Sequence, residues 1–154
     1  MIDDLKKLYS EIIKKHNETP FHFEKRGDAE NTIKAYNPIC GDRFEVYVDS
    51  DQRTVKELHF HGFGCAISKA STSILAKTLE GKPLKEALEV CEHFLRFINK
   101  ESGDNKLVLS DEFLAFAGVH DFPERYDCAT LSWREMKKFL ETISGVEIRK
   151  IVQV

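Results

Sequence analysis

The sequence predicts an α+β domain in which a small antiparallel three-stranded sheet carries helices packed on one face. Three observations lead to this prediction. Strand-like alternation of apolar and polar residues is concentrated at positions 33–62. The segments before and after it repeat apolar residues every three or four positions, as amphipathic helices do. The length of 154 residues fits one domain.

The first element is predicted to be an N-terminal helix, because apolar residues recur at helical spacing between lysine pairs. Its apolar stripe consists of Ile2, Leu5, Leu8, Tyr9, Ile12 and Ile13. Residues 16–31 are polar and include Pro20 and Gly27, so they indicate an extended connection to the sheet.

Strands are predicted next. In residues 43–49, Phe44, Val46 and Val48 alternate with polar side chains, and the polar residues 49–52 then form a turn. Residues 55–62 alternate again, and a short segment at 33–36 is the third strand candidate. Consecutive strands joined by short turns favour hairpins and therefore antiparallel pairing.

After residue 62 the apolar period becomes helical. Helices are predicted from about 66 to 79, from 84 to 98 and around 113–119, and a final one from about 127 to 143. Gly145 is expected to end that helix and to leave a strand-like tail at 146–151. Leu131 and Trp133 are expected to pack the last helix onto the sheet.

Composition excludes several classes of protein. The chain has 23 Lys and Arg against 26 Asp and Glu, a net charge of −3, which argues against broad salt-driven binding of nucleic acid. No apolar run approaches the roughly 20 residues of a spanning helix, and the N-terminus lacks the features of a signal peptide. We therefore expect a cytoplasmic protein without a membrane partner, with thiols kept reduced.

Four cysteines are too few and too scattered for a disulfide scaffold. Cys40 lies between two strand candidates, two residues before Asp42, while Cys65 and Cys128 each stand where a helix begins, a position that stabilises a thiolate. These three thiols and the carboxylate could converge into a tetrahedral metal site. Cys91 differs, because it lies on the apolar face of its helix and is predicted to be a core residue.

Three segments carry a family resemblance. Residues 37–42, 62–71 and 125–133, each with a cysteine and its flanking residues, resemble the three cysteine motifs of the NifU/IscU-like family of iron–sulfur cluster assembly proteins. The resemblance extends over residues 5–143, which implies a single domain at 1–143 and a C-terminal tail at 144–154. The chain lacks a histidine before the third cysteine and a Leu-Pro-Pro-Val-Lys motif, and has extra residues around 100–120, so it is most similar to the SufU branch.

This resemblance implies a zinc-dependent sulfurtransferase that accepts persulfide sulfur from a SufS-type cysteine desulfurase and passes it to downstream iron–sulfur assembly proteins. The implied zinc ligands are Cys40, Asp42, Cys65 and Cys128. The branch also implies that a histidine of the docked desulfurase replaces Cys40 on zinc, which frees this thiolate to accept sulfur. Arg125 is expected to compensate the negative charge of the site.

Two alternatives stay open at this point. The same four residues could hold iron or an iron–sulfur cluster, which would make the chain an assembly scaffold, because thiolate sites suit both zinc and clusters. A purely structural zinc module is disfavoured, because a chain of this length buries a core without metal. His59 and His61 are expected to face the surface or a partner, and His120 is expected to lie at a helix end.

Overall fold

The computed structural model describes residues 2–39, 41–99, 111–116, 119 and 122–152. The element order is α1 (Ile2–Glu18), β1 (Asn31–Asn37), β2 (Asp42–Ser50), β3 (Val55–Phe63), α2 (Ala66–Leu79), α3 (Leu84–Ile98), α4 (Asp111–Ala115) and α5 (Tyr126–Val152), with a 3₁₀ turn at Pro123–Arg125 before α5. The three strands form one antiparallel sheet in the order β1-β2-β3. The predicted α+β architecture is confirmed.

The sheet is two consecutive hairpins that share the central strand β2. Asn37 pairs with Asp42 where β1 meets β2, so the connection between these strands is short. At the other end of β2, the Asp51 carboxylate accepts hydrogen bonds of 2.7 Å from the backbone N–H groups of Arg53 and Thr54, which closes the turn into β3. The register shifts between Asp49 and Ser50 as the chain enters this turn.

The core lies between one face of the sheet and the helices. Phe44, Val46 and Val48 of β2 are fully buried, as their alternation predicted, together with Leu58 and Phe60 of β3. Helix α2 packs on α1, α5 and β3, while α5 packs on α3 and β1. Full burial of one such side chain contributes about 1.5–3 kcal/mol, so this face of the sheet holds the helices firmly in place.

An aromatic cluster joins the later helices. The Trp133 ring of α5 stacks on Phe94 of α3 at 4.1 Å between centroids and meets Phe113 of α4 edge-on at 5.6 Å. Its indole N–H donates to Ser71 Oγ of α2 at 3.0 Å, which satisfies the buried polar atom. Leu131 and Trp133 are both buried, but the contacts of the Trp133 ring are with the other helices and not with the sheet that the prediction named.

Two predicted boundaries differ from the structure. Helix α5 continues through Gly145 to Val152, so the expected helix end and strand-like tail are wrong. A glycine inside a helix costs only about 1 kcal/mol, and a helix that is already formed propagates readily. Helix α4 runs over Asp111–Ala115, so it overlaps the predicted 113–119 helix at residues 113–115, and residues 117 and 118 lie outside the described part.

The connection after α1 begins after Glu18, later than the predicted residue 16, and it contains turns; part of it runs beside β3. The backbone N–H of Glu24 donates to the Phe60 carbonyl at 2.9 Å, and the Phe60 N–H donates to the His22 carbonyl at 3.1 Å. This segment therefore covers part of the β3 edge. Among the described helices, none combines the length and the apolar character needed to cross a membrane.

Candidate metal centre

Three of the four predicted metal ligands meet at one end of the sheet. Asp42 is the first residue of β2, Cys65 immediately precedes α2, and Cys128 lies in the first turn of α5. One carboxylate oxygen and the two sulfur atoms all lie within 4.8 Å of one another. Three different elements therefore bring a carboxylate and two thiols into one cluster.

The fourth predicted ligand, Cys40, lies outside the described residues. The residues on both sides of it are described. Asn37 accepts hydrogen bonds from both of them: its carbonyl accepts the Gly41 N–H at 2.8 Å, and its Oδ1 accepts the Ile39 N–H at 3.0 Å. Gly41 has a φ of +75°, a conformation that glycine adopts without strain.

Asp42 is an unusual carboxylate because its side chain is almost fully buried. Its Oδ1 accepts a hydrogen bond of 2.9 Å from the backbone N–H of Cys65, and its Oδ2 lies 4.0 Å from Cys65 Sγ. A buried carboxylate is costly unless it is paired or binds a metal. Two thiols beside such a carboxylate are ligand types that zinc takes in tetrahedral sites, so the donor set fits zinc.

Cys65 caps the N-terminus of α2. Its Sγ accepts a hydrogen bond of 3.4 Å from the backbone N–H of Ser68. This bond satisfies one of the backbone N–H groups that the first turn of a helix leaves without an intrahelical partner, and it orients the Cys65 side chain at the start of α2.

Gly64 permits the close approach of the Cys65 loop to β2. A Cβ at this position would lie 2.5 Å from Asp42 Oδ1 and 2.7 Å from Phe44 Cε2. Gly62, with a φ of +142°, has no room for a Cβ either, because the Arg43 carbonyl occupies that space. Both positions at the junction of β3 and α2 therefore require glycine.

Cys65 and Cys128 also line a cleft of about 660 Å³ between the start of α2, the start of α5 and α1. Tyr9, Lys14 and Arg125 line the same cleft. Burial raises the pKa of the Tyr9 hydroxyl. The neighbouring Arg125 lowers this pKa, whereas Cys65 and Cys128 raise it further. Arg125, whose guanidinium also lies 4.5 Å from the centre of the Phe122 ring, therefore places a cation in the cleft that both thiols line. Nothing in the sequence distinguished Tyr9 from an ordinary core residue.

The remaining predicted residues are placed as follows. Cys91 is fully buried in α3, as predicted, and burial raises the pKa of its thiol.

His59 is buried, so the expectation that it faces the surface is wrong. Its ring accepts a hydrogen bond from Arg26 at 3.1 Å and stacks on His22 at 4.6 Å between ring centres. The covering residues come from the connection after α1, which lies far from β3 in sequence. His61 is exposed, and His120 lies outside the described residues.

A second polar cluster consists of His16, Ser73 and Glu112, the residue types of a catalytic triad, but its serine is not accessible to a substrate. His16 Nδ1 lies 2.7 Å from Ser73 Oγ, and its Nε2 contacts the Glu112 carboxylate. Ser73 is fully buried and its Oγ accepts the Phe21 N–H at 2.8 Å, so no substrate reaches it. The cluster connects α1, α2 and α4, a structural role that the sequence did not indicate.

Comparisons with known proteins agree with this arrangement. The sequence profile described as the NifU-like N-terminal domain matches residues 8–138. The zinc-dependent sulfurtransferase SufU of Bacillus subtilis is 33% identical over 135 residues, which cover 88% of this chain and 90% of that protein. The iron–sulfur cluster assembly scaffold protein IscU of Streptococcus pyogenes is 30% identical over 146 residues, 95% of this chain and 91% of that protein.

Solved structures show the same fold. A structure from Fervidobacterium islandicum AW-1, described as an iron–sulfur cluster assembly scaffold protein for the SUF system, superimposes with a TM-score of 0.77. It is 27% identical, and the match covers 85% of this chain and 95% of that one. The N-terminal part of a NifU-like protein from Brucella abortus has a TM-score of 0.75 at 16% identity, with 91% and 96% of the two chains covered, and shows the fold alone. From the cysteine cluster, the architecture and the match over residues 8–138, the chain belongs to the NifU-like N-terminal domain family.

Proposed function

We propose that this chain is a zinc-dependent sulfurtransferase, which accepts persulfide sulfur from a SufS-type cysteine desulfurase for iron–sulfur cluster assembly. The observation that carries the proposal is the convergence of Asp42, Cys65 and Cys128 beside the loop that contains Cys40. The similarity to a relative named as a zinc-dependent sulfurtransferase supports it. Reducing conditions in the cytoplasm, where we place the activity, would keep these thiols free.

Asp42, Cys65 and Cys128 would hold the zinc ion, with Cys40 as the fourth ligand. Two peptide units separate Cys40 from Asp42, so their Cα atoms lie within about 7.6 Å of each other. When bound, zinc supplies a Lewis acid that keeps its thiol ligands deprotonated near neutral pH. The four anionic ligands exceed the charge of the ion, and Arg125 would compensate the excess from the adjoining cleft.

Cys40 would be the sulfur acceptor. Its thiolate attacks the outer sulfur of the persulfide on the partner, so a new S–S bond forms at Cys40 Sγ. The S–S bond of the partner breaks, and its electron pair leaves on the cysteine thiolate of the partner. One sulfur atom moves without net oxidation or reduction. The Cys40 persulfide is then the substrate of downstream iron–sulfur assembly proteins.

The test combines metal analysis with an assay of the desulfurase. The chain is purified anaerobically, zinc and iron are measured per chain, and the rate of a SufS-type desulfurase is followed with and without it. We expect about one zinc per chain and a faster desulfurase. Cys40→Ala should abolish the stimulation, whereas the matched control Cys91→Ala removes a buried core thiol and should keep it. Full stimulation by Cys40→Ala would refute the acceptor role.

An assembly scaffold is the second candidate, supported by the similarity to an IscU protein and by thiolate ligands that suit iron as well as zinc. It predicts a different result in the same preparation. The chain would carry a coloured cluster that transfers to an apo-protein, and the desulfurase would not be accelerated. Cluster transfer without stimulation would therefore replace the sulfurtransferase proposal.

A further inference from the structure

We propose that the cleft between α1 and the starts of α2 and α5 binds a small thiol that carries a carboxylate, and that this thiol accepts sulfur from Cys40. The step would release sulfur without a second acceptor protein. The inference rests on the proposed function, because the desulfurase must first load Cys40. We call this cavity the thiol cleft, and the residues of its lining that the argument uses most are Tyr9, Lys14, Cys65, Arg125 and Cys128.

The thiol cleft has the size and the lining of a small-molecule site. Ligand pockets in proteins typically have volumes of about 300–1,000 Å³, and the volume of this cleft is about 660 Å³. Ile13 of α1 and Ile67 of α2 supply apolar parts of its lining, and polar side chains stand between them. Such a lining can contact the methylene groups of a small molecule while its polar groups fix the orientation.

The charge of the thiol cleft favours an anion. Lys14 and Arg125 both line it, and no carboxylate occurs among the described residues of the lining. In the part of the chain that the structure describes, neither cation forms an ion pair with an acidic side chain. The first turn of α2 also belongs to the lining, and the positive end of a helix dipole favours negative charge. A single carboxylate matches the charge of Lys14, while Arg125 compensates the metal centre.

Tyr9 provides an independent indication of a ligand. Only 9% of its surface is exposed, and its ring meets Phe116 edge-on at 6.1 Å between centres. Its hydroxyl is buried and does not reach hydrogen-bond geometry with any described residue, although Arg125 lies near enough to lower its pKa. Most buried polar side-chain atoms in proteins have a hydrogen-bond partner. Because Tyr9 lines the cleft, its hydroxyl is a donor for a group that binds there.

The two ends of the thiol cleft differ in chemistry. Cys65 and Cys128, which belong to the metal cluster, both raise the pKa of Tyr9, so Tyr9 marks the end beside the metal centre. Lys14 follows Tyr9 by five residues on the same helix. With a helical rise of about 1.5 Å per residue, Lys14 lies about 7.5 Å from Tyr9 along the axis of α1. A molecule that pairs its carboxylate with Lys14 therefore reaches the metal centre with a group at its other end.

A thiol is the group that reacts at this end. After the proposed transfer from the desulfurase, Cys40 carries a persulfide, whose outer sulfur a thiolate attacks. The small thiol first loses its proton to solvent, and its sulfur then forms a bond to the outer sulfur. The bond between that sulfur and Cys40 Sγ breaks, and the electron pair stays on Cys40 as a thiolate. One sulfur atom moves without net oxidation or reduction, and the product is the persulfide of the small thiol.

Binding is measured by titrating the full-length, zinc-loaded chain with S-methylglutathione in a calorimeter. This probe carries carboxylates but no free thiol, so it neither accepts sulfur nor binds zinc as a thiolate. Lys14→Glu should weaken binding by about tenfold or more, because it reverses the charge that meets the carboxylate. Lys15→Glu is the matched control, since Lys15 is an exposed lysine of the same helix that does not line the cleft, and it should bind as the wild type does.

Transfer is measured on chain that the desulfurase has loaded with radioactive sulfur and from which the desulfurase has been removed. Glutathione should release the label as its own persulfide, which mass spectrometry identifies after alkylation. β-Mercaptoethanol, a thiol without a carboxylate, should need about tenfold higher concentration for the same rate, and Lys14→Glu should abolish this difference. Tyr9→Phe keeps the ring but removes the hydroxyl, and should slow release by glutathione about three- to tenfold. Zinc content and melting temperature are measured for each variant, so a damaged fold is recognised.

The outcomes separate this inference from the proposed function. A wild-type chain that is loaded by the desulfurase, but binds S-methylglutathione no better than Lys14→Glu does, would overturn the thiol cleft alone. Equal rates of release by glutathione and β-mercaptoethanol from the wild type would also contradict it, because the reaction would then need no binding site. A chain that the desulfurase does not load would overturn the proposed function and the transfer step together.

Discussion

The backbone N–H of Cys65 donates a hydrogen bond of 2.9 Å to Oδ1 of Asp42, although 23 positions separate the two residues. This bond ties the start of α2 to the start of β2. It also occupies one oxygen of a buried carboxylate and directs the other towards the thiols. The position of one candidate ligand therefore sets the position of the next.

Asp42→Ala should remove this bond together with one metal ligand. Loss of a group that only orients a ligand typically costs 10- to 100-fold in metal affinity, so we expect a decrease of at least about 100-fold here. Asp42→Asn retains an oxygen that can accept the Cys65 N–H but lacks the negative charge, and should lose less. Competition for zinc with a chromophoric chelator measures both variants. Equal affinities for Asp42→Ala and the wild type would exclude Asp42 as a ligand.

Gly64→Ala should weaken zinc binding without touching a ligand atom. The added Cβ would lie 2.5 Å from Asp42 Oδ1, so either the carboxylate or the Cys65 loop must move. We expect a loss of stability of about 1–3 kcal/mol, as for other overpacked sites, together with a lower zinc affinity. Gly27→Ala is the control, because a Cβ there meets nothing within 4 Å. Chemical denaturation and the same chelator assay test the pair.

The cysteines should differ in their reaction with an alkylating agent once metal has been chelated. Cys65 is exposed and Cys128 is half-buried, so both should be labelled in the folded chain. Burial raises the pKa of the Cys91 thiol, and it should react only after denaturant is added, because the thiolate is the reactive form. Peptide mass spectrometry identifies the labelled sites. Labelling of Cys91 as fast as Cys65 would contradict its place in the core.

Stability should fall as the pH is lowered below neutrality, partly through His16. Burial lowers the pKa of His16 below its ordinary value of 6.5, so the unfolded chain takes up this proton first. The stabilisation is therefore complete above pH 6.5 and is lost as the pH falls through the folded-state pKa. His93, whose pKa burial also lowers, contributes in the same direction.

Glu112 extends the effect to lower pH. Burial alone would raise the pKa of Glu112, but its hydrogen bonds to His16 and Lys77 outweigh burial and lower it below 4.5. This second contribution is present above pH 4.5 and is lost as the pH falls through the folded-state pKa of Glu112.

His16→Gln should flatten the dependence below pH 6.5 and reduce the unfolding free energy at pH 7 by about 1–3 kcal/mol, since it disturbs the hydrogen bonds of His16 to Ser73 and Glu112. His61→Gln, which changes an exposed histidine, serves as the control. Urea denaturation at several pH values provides the measurement. An unchanged pH profile for His16→Gln would show that other groups cause the loss of stability.

The sequence predicts well those elements in which the alternation of apolar and polar residues indicates which side chains are buried. Phe44, Val46 and Val48 alternate because one face of β2 is covered by helices, and the structure buries all three. Cys91 was separated from the other cysteines on the same ground. His59 was misplaced because residues of a distant segment, including His22 and Arg26, cover it.

The residues alone predict which donor atoms are available and on which elements they lie: a carboxylate at the start of a strand and thiols at the starts of two helices. That Asp42, Cys65 and Cys128 meet within 4.8 Å, and that Tyr36, Arg43 and Phe63 are neighbours across the three strands, follows from the folded arrangement. The periodicity of apolar residues along the chain indicates only which side of a single helix or strand is buried. Distances between remote residues are set by strand register and by the packing of α2 and α5 against the sheet and its flanking helices.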